Sequence, residues 1–293
     1  MAALGPIHPS NGYPVYYQDF TGLALEQCLD SLDPLCGVLP LPDPLSPVSF
    51  PDNFPDEFFY WLGNSTMPTN GGGDALLVVA LEGAFGGVTG GVVPGEQIVF
   101  GRIRVRVDNL IQGETYVVTH PFGVDTFVAE NSAANGINFT EDIGCADLPC
   151  DFSLALNGRV GPFLAWDPAE SAPPVGYVGD PAIEHTVIGS PLGNNFFRIE
   201  GPSVGGPGVD VIQTDLFTIQ GKIFTGVVPS PLSVDRSSYS RQSNVTNTAD
   251  SPPTDVNSVL VDEVTIDVAS FDQATSTLTV HASSSDLLGQ VGS

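Results

Sequence analysis

Strict alternation of apolar and charged residues marks the clearest element in the chain. In the segment 102–108, Arg-Ile-Arg-Val-Arg-Val-Asp, the residues Ile103, Val105 and Val107 fall on one side and Arg102, Arg104 and Arg106 on the other. A period of two predicts a strand with one dry face and one wet face. The run 97–100 leads into it, and 109–113 turns the chain toward a second strand over 114–120 and a third over 125–129. Upstream, the apolar run 75–81 reads as a buried strand or, as second choice, a short helix. Further strands are expected at 152–156, 184–188, 195–200 and 216–224, bounded by Gly, Pro or Asn. Strand-sized runs with turns between them, and no convincing amphipathic helix, predict an all-β protein. Residues 75–228 are expected to form a β-sandwich.

The flanks read differently. Residues 1–74 are dense in proline, which removes a ladder donor and fixes φ, so an irregular arm laid on the main domain is expected there, with 58–61 as a short strand or helical turn. Phe54, Phe58, Phe59, Tyr60 and Trp61 lie at its end and are read as its anchor to the core, with a sugar-binding surface as the alternative. Residues 229–260 carry Ser, Thr, Asn and Asp with little to bury and read as a linker. Residues 261–293 contain two period-two runs around a turn at 272–275, a hairpin that is marginal alone. It needs the main domain, a second copy, or strands beyond residue 293.

The stretch Phe-Gly-Arg-Ile-Arg-Val-Arg-Val-Asp (100–108) through His-Pro-Phe-Gly-Val-Asp-Thr-Phe (120–127) resembles poorly characterised bacterial secreted or surface proteins. The hairpin 264–285 resembles the first two strands of a bacterial immunoglobulin-like repeat. The resemblance implies a leading β domain followed by immunoglobulin-like modules, of which the C-terminal hairpin would be a partial copy. It implies no active site.

Charge narrows the partners. Eight Lys and Arg against 34 Asp and Glu give a net charge of −26. Nucleic-acid binding needs clustered cations to release counterions, and anionic membranes repel such a chain, so both partners are set aside. The longest apolar run is far shorter than the ~20 residues that span a bilayer, which argues against membrane insertion. The N-terminus, Met-Ala-Ala-Leu-Gly-Pro, lacks the basic and apolar regions of a signal peptide, so either a leader has been removed or the chain stays in the cytosol. Cysteine arbitrates. Cys28 with Cys36 and Cys145 with Cys150 are close couples in Pro- and Asp-rich loops, suited to local disulfides. Free buried thiols or a metal are the alternatives. The balance favours an extracellular or cell-surface location.

Four groups of residues are candidates for chemistry. Arg102, Arg104 and Arg106 would form a strip for an anionic ligand such as an acidic polysaccharide, unless neighbouring strands set carboxylates opposite them. His120, Asp125 and His185 could supply a two-histidine, one-carboxylate transition-metal site. Glu141, Asp142 and Asp147 surround the Cys145–Cys150 loop and could hold calcium as a cofactor. Paired carboxylates could also serve a glycoside hydrolase. No nucleophile elbow, P-loop or zinc motif appears in the sequence. The favoured function is therefore structural, adhesive or binding, with polysaccharide or other copies as partners through strand pairing. An extracellular metal- or carboxylate-dependent enzyme acting on polysaccharide is the alternative, and a small-molecule binder needing an enclosed pocket is a third.

Overall fold

The computed structural model describes residues 1–37, 40–145, 148–226 and, beyond them, the strand segments 243–247, 254–258, 264–272 and 277–284. In chain order the strands are β1 (Ala3–Leu4), β2 (Tyr16–Gln18), β3 (Ala24–Glu26), β4 (Glu57–Pro68), β5 (Asp74–Phe85), β6 (Gln97–Val107), β7 (Thr115–His120), β8 (Gly123–Val128) and β9 (Ile137–Gly144). They continue with β10 (Ala165–Trp166), β11 (His185–Ile188), β12 (Phe197–Glu200), β13 (Val211–Thr214), β14 (Leu216–Ile223), β15 (Ser243–Asn247), β16 (Thr254–Ser258), β17 (Val264–Asp272) and β18 (Thr277–Ser284). The only helical pieces among the described residues are 3-10 turns, so the protein is all-β. The chain divides into two compact units, Met1–Phe224 and Thr225–Ser293.

In the first unit a large antiparallel sheet runs β1-β2-β3-β14-β4-β5-β6-β9, with β11 and then β10 branching from β14. A second sheet runs β13-β12-β7-β8. Alternation decides which side chains enter the core. Ile103, Val105 and Val107 on β6 lie level with Val79, Leu77 and Ala75 on β5, and all six are buried. From the smaller sheet, Tyr116, Val118, Phe197 and Ile199 join the same apolar cluster, so the two sheets share one core in a sandwich-like arrangement. Burying each large apolar side chain contributes roughly 1.5–3 kcal/mol before conformational entropy is subtracted.

The arm expected over 1–74 is not wholly irregular. Four strands come from it, and β4 is a twelve-residue central strand between β14 and β5. Its alternation is broken by a bulge, because the pairing register with β5 shifts between Phe59 and Trp61. Phe58, Tyr60 and Trp61 are then all buried, and the inward series continues through Gly63, Ser65 and Met67. Gly63 is needed there: a Cβ would lie 3.1 Å from Val79 and 3.2 Å from Ile219. The proline-dense stretch itself does stay outside the strands, apart from an isolated bridge between Ser49 and Asn53. Aromatic side chains anchor the arm as expected. Tyr13 packs edge-on to Phe58 and Phe85, and the hydroxyls of Tyr13, Tyr17 and Tyr60 donate to the carbonyls of Ala84, Phe152 and Pro14. Phe59 points the other way and is only half-buried.

Two other expectations change. Residues 152–156 lie in a 3-10 turn, Phe152–Asn157, because the Asp151 carboxylate accepts the Ser153 N–H and caps it. Within the expected linker 229–260, β15 and β16 pair antiparallel; the rest of that segment lies outside the described residues. In the second unit β17 and β18 form the expected C-terminal hairpin as their own two-stranded sheet. Among the described residues no helix is long and apolar enough to cross a membrane.

Candidate functional site

Both cysteine couples are disulfides, Cys28–Cys36 and Cys145–Cys150. The first staples one wall of a groove of about 930 Å³ formed by the segments 8–15, 26–32 and 44–54. That wall carries Leu29, Asp30, Ser31 and Leu32, and the Asp30 carboxylate accepts the Leu32 N–H to hold its turn. The opposite wall, 44–50, is stiffened from within by Asn53. Its amide NH2 donates to the carbonyls of Asp43, Ser46 and Pro47, and its carbonyl accepts the Asp43 N–H. One buried side chain thereby satisfies the loop 43–53, which Pro44, Pro47 and Pro51 keep from joining a sheet. Leu32 and Leu45 are 85% and 94% exposed where they rim the groove. Phe54 is buried at its base beside half-buried Phe50. Polar groups converge on the same space: His8, Ser10, Asn11, Gln27, Ser31, Ser46 and Ser49 line it with Glu26 and Asp30, and among the described residues no Lys or Arg does. Glu26 is ion-paired with Lys222 at 3.1 Å. The volume and mixed lining match those of small-ligand clefts.

Of the residues singled out from the sequence, Phe54 alone lines this groove, at its base, and none of the arginine, histidine or carboxylate candidates does. It escaped because three separated segments build it and only their stacking on the sheet creates a concavity. The available signs were Phe54, in the aromatic group with a sugar-binding alternative, and the concentration of Cys28, Cys36 and proline in one stretch, which marks stiff, surface-held loops.

The arginine strip is present, on the outward face of β6, but its members differ. Arg102 is neutralised, with Nε and Nη2 donating to Asp142 at 2.7 and 2.9 Å, Nη1 reaching Glu82 at 3.0 Å, and Glu57 at 3.7 Å. Glu82 is buried among these groups. Burial first, then its contact with Glu57 and the charges of Glu57 and Asp142, outweigh the Arg102 cation and push its carboxyl up to about 9. Arg104 lies between Val78 and Thr140, and Arg106 between Leu76 and Asn138. Neither meets a carboxylate among the described residues.

His120 and Asp125 do come together, at 2.9 Å. The imidazole is fully buried at the end of β7, and its Nδ1 accepts the Phe122 N–H. That leaves the proton on Nε2, which donates to Asp125, so both ring nitrogens are occupied and no lone pair remains for a metal. Arg159 closes the arrangement, donating to Asp125 at 3.1 Å and to Glu141 at 2.8 Å. Asp125 lies on β8 and Glu141 on β9, edge strands of the two sheets, and Phe127 packs on Phe139 beside them. The group is an ionic clasp across the rim of the sandwich. Burial lowers the His120 pKa despite the Asp125 bond. Burial would raise Asp125, but the bonds from His120 and Arg159 hold it below its ordinary value.

His185 is not part of that group. It stacks on Trp166 at 4.4 Å, with Nε2 2.7 Å from Ser171 Oγ and Nδ1 2.8 Å from the Thr186 carbonyl. The expected two-histidine metal site is therefore not assembled. The expected calcium ligands also part: Glu141 turns to Arg159 and Asp142, one residue on, turns to Arg102 on the opposite face of β9, while Asp147 lies outside the described residues. Among the described residues no three His, Cys, Asp or Glu side chains are placed to hold a metal ion. Glu57 and Glu82 both face the same Arg102 Nη1, at 3.7 and 3.0 Å. Compared with protein-family models, curated proteins and solved structures, the chain matches none of them.

Proposed function

We propose that this chain is an extracellular or cell-surface binding module of adhesive or structural purpose, whose ligand seats in the groove between the 26–32 and 44–54 segments. The observation that carries the reading is the groove itself: about 930 Å³, walled by loops that a disulfide and the Asn53 side chain hold in place. Rigid walls matter because a ligand then binds without first ordering the loops. The lining selects the ligand class. Hydroxyls, amides and carboxylates beside an aromatic floor suit a neutral sugar chain, whose hydroxyls need both donors and acceptors while its ring faces need apolar contact. The absence of Lys and Arg from the lining, in a chain of charge −26, disfavours an anion there. Two disulfides favour an oxidising compartment.

Ser49→Trp tests this reading, because Ser49 is exposed on the groove wall and a bulky ring there fills the cavity without entering the core. Calorimetric titration with neutral gluco-, manno- and xylo-oligosaccharides is expected to give heat with the wild type and at least a tenfold weaker affinity with the variant. Equal affinity of the two proteins, or no heat with any neutral sugar, overturns it.

Self-association through the C-terminal strands is the second element of the proposal. Among the described residues β17 and β18 pair only with each other, which leaves hairpin edges available for strand addition. Sedimentation velocity over two decades of concentration is expected to show species heavier than the 30.6 kDa chain. A lone 30.6 kDa boundary throughout removes the self-assembly element and leaves the groove reading in place.

A further inference from the structure

Every described Lys and Arg of this acidic chain except two is paired. Arg102, Arg159, Arg198 and Lys222 each hold a carboxylate within 3.1 Å. Arg104 and Arg106, neighbours on the same face of β6, do not. With 34 carboxylates in the chain, pairing is what chance and solvation would produce, and the flanking strands supply the opposite. Asn138 and Thr140 stand beside them on β9, Leu76 and Val78 on β5, and Asn64 and Thr66 one strand further on.

The two guanidiniums are not idle solvent-facing chains. Arg106 is oriented by neutral acceptors: Nη1 donates to the carbonyls of Val105 and Phe139, and Nη2 donates to Thr140 Oγ1 at 3.0 Å. Arg104 Nε is out of contact with solvent and hydrogen-bonded to nothing. Desolvation, with repulsion from Arg104 and Arg102, lowers the Arg106 pKa. An anion would relieve that repulsion and pair with Arg104. A strand spaces them about 6.6–6.8 Å apart.

We infer that Arg104 and Arg106 form a second, separate ligand site on the outward face of β6, for an acidic polysaccharide bearing carboxylates at intervals of a sugar ring. Spacing and surroundings favour this polymer over denser polyanions. Nucleic acid presents a charge every ~1.7 Å, which two arginines cannot neutralise and the remaining negative charge of the protein repels. A uronic-acid chain presents one carboxylate per ring, and the uncharged remainder of each ring needs apolar contact and hydroxyl partners. Leu76 and Val78 provide the first, and Asn64, Asn138 and Thr140 the second. The bidentate fork of arginine suits a carboxylate better than lysine would.

The test is affinity electrophoresis and calorimetry of the full chain with polygalacturonate and alginate oligosaccharides at 50 mM and 500 mM NaCl, against Arg104→Gln/Arg106→Gln. Wild type is expected to bind at low salt and to weaken at least tenfold at high salt. The double variant, checked for an unchanged near-ultraviolet circular dichroism spectrum, is expected to lose at least tenfold at low salt. Ser49→Trp, which blocks the groove, is expected to bind uronic-acid chains as the wild type does; loss in that variant instead would assign them to the groove and overturn the arginine site. Equal binding by the double variant overturns the inference, as does no retardation of the wild type. Poly-glutamate or single-stranded DNA bound as tightly, with the same arginine dependence, overturns the assignment to a polysaccharide. If the double variant alters the dichroism, Arg104→Lys decides: a loss of at least fivefold in uronic-acid affinity is expected, and an unchanged affinity overturns the site.

Discussion

Asp125→Ala is expected to lower the unfolding free energy by about 2–3 kcal/mol, read from urea denaturation at pH 7.5. Asp125 is the central acceptor of the clasp. It takes the Nε2–H of a histidine with no solvent exposure and two Nη donors of Arg159. Removing it leaves the buried imidazole N–H without a partner and the guanidinium with Glu141 alone. Stripping one member from a buried charged network typically costs 3–5 kcal/mol. Arg159 and Asp125 keep 30% and 22% of their side-chain surface, so water recovers part of that and the lower value is expected. A loss under ~0.5 kcal/mol would mean that the clasp is ornamental and that the Phe127–Phe139 contact closes the rim unaided.

The same clasp carries a pH signature. Folding holds His120 below its ordinary 6.5, so as pH falls through that value the unfolded chain takes up a proton that the folded chain resists. The contribution of neutral His120 is complete above pH 6.5 and is lost on acidification. Asp125, held below 3.8, acts in the same sense at lower pH. His120→Gln, neutral at every pH, is expected to be less stable than the wild type at pH 7.5, with the gap narrowing toward pH 5. A gap that stays constant would show that His120 does not resist protonation in the folded chain.

How much of this was legible beforehand depended on whether a residue's partner lay on its own strand. The dry face of β6, the 114–120 and 125–129 strands and the C-terminal hairpin rest on local alternation, and all are present. Of β4 only the stretch 58–61 reads as a short strand or helical turn; its length is hidden because a bulge puts Tyr60 and Trp61 inward together and the inward positions then pass to Gly63 and Ser65, which do not look apolar. β9 was hidden because Glu141 and Asp142 read as one acidic cluster, whereas pleating sends them to opposite faces with different arginines. The disulfides needed only proximity in sequence. The groove needed tertiary stacking, and so did the division of the arginine strip: spacing placed three guanidiniums on one face, but only strand order could show that Glu57, Glu82 and Asp142 all gather at Arg102.

That gathering supports the second large expectation, that Glu82→Gln raises stability by about 2 kcal/mol at pH 8. Glu82 is 2% exposed and its carboxyl is pushed up to about 9 from an ordinary 4.5. In the unfolded chain it is ionised at pH 8, so folding must reprotonate it, at a cost of ~1.4 kcal/mol for each pH unit above 4.5. The full separation would exceed 4 kcal/mol; the contact of the protonated carboxyl with Glu57, which an amide reproduces imperfectly, takes back part of it. Because the folded pKa lies above the unfolded one, the Glu82 contribution is intact below pH 4.5 and is lost as pH rises toward 9. Glutamine matches the shape and removes the titration. Between pH 4.5 and 6.5 Glu82 and His120 act with opposite sign, and the wild-type profile there is expected to be shallow. Each variant should uncover the other group: Glu82→Gln should lose stability toward acid, and His120→Gln should gain it. If Glu82→Gln is instead destabilised by 1 kcal/mol or more at pH 8, Glu82 is ionised in the fold and its pairing with Arg102 outweighs its burial.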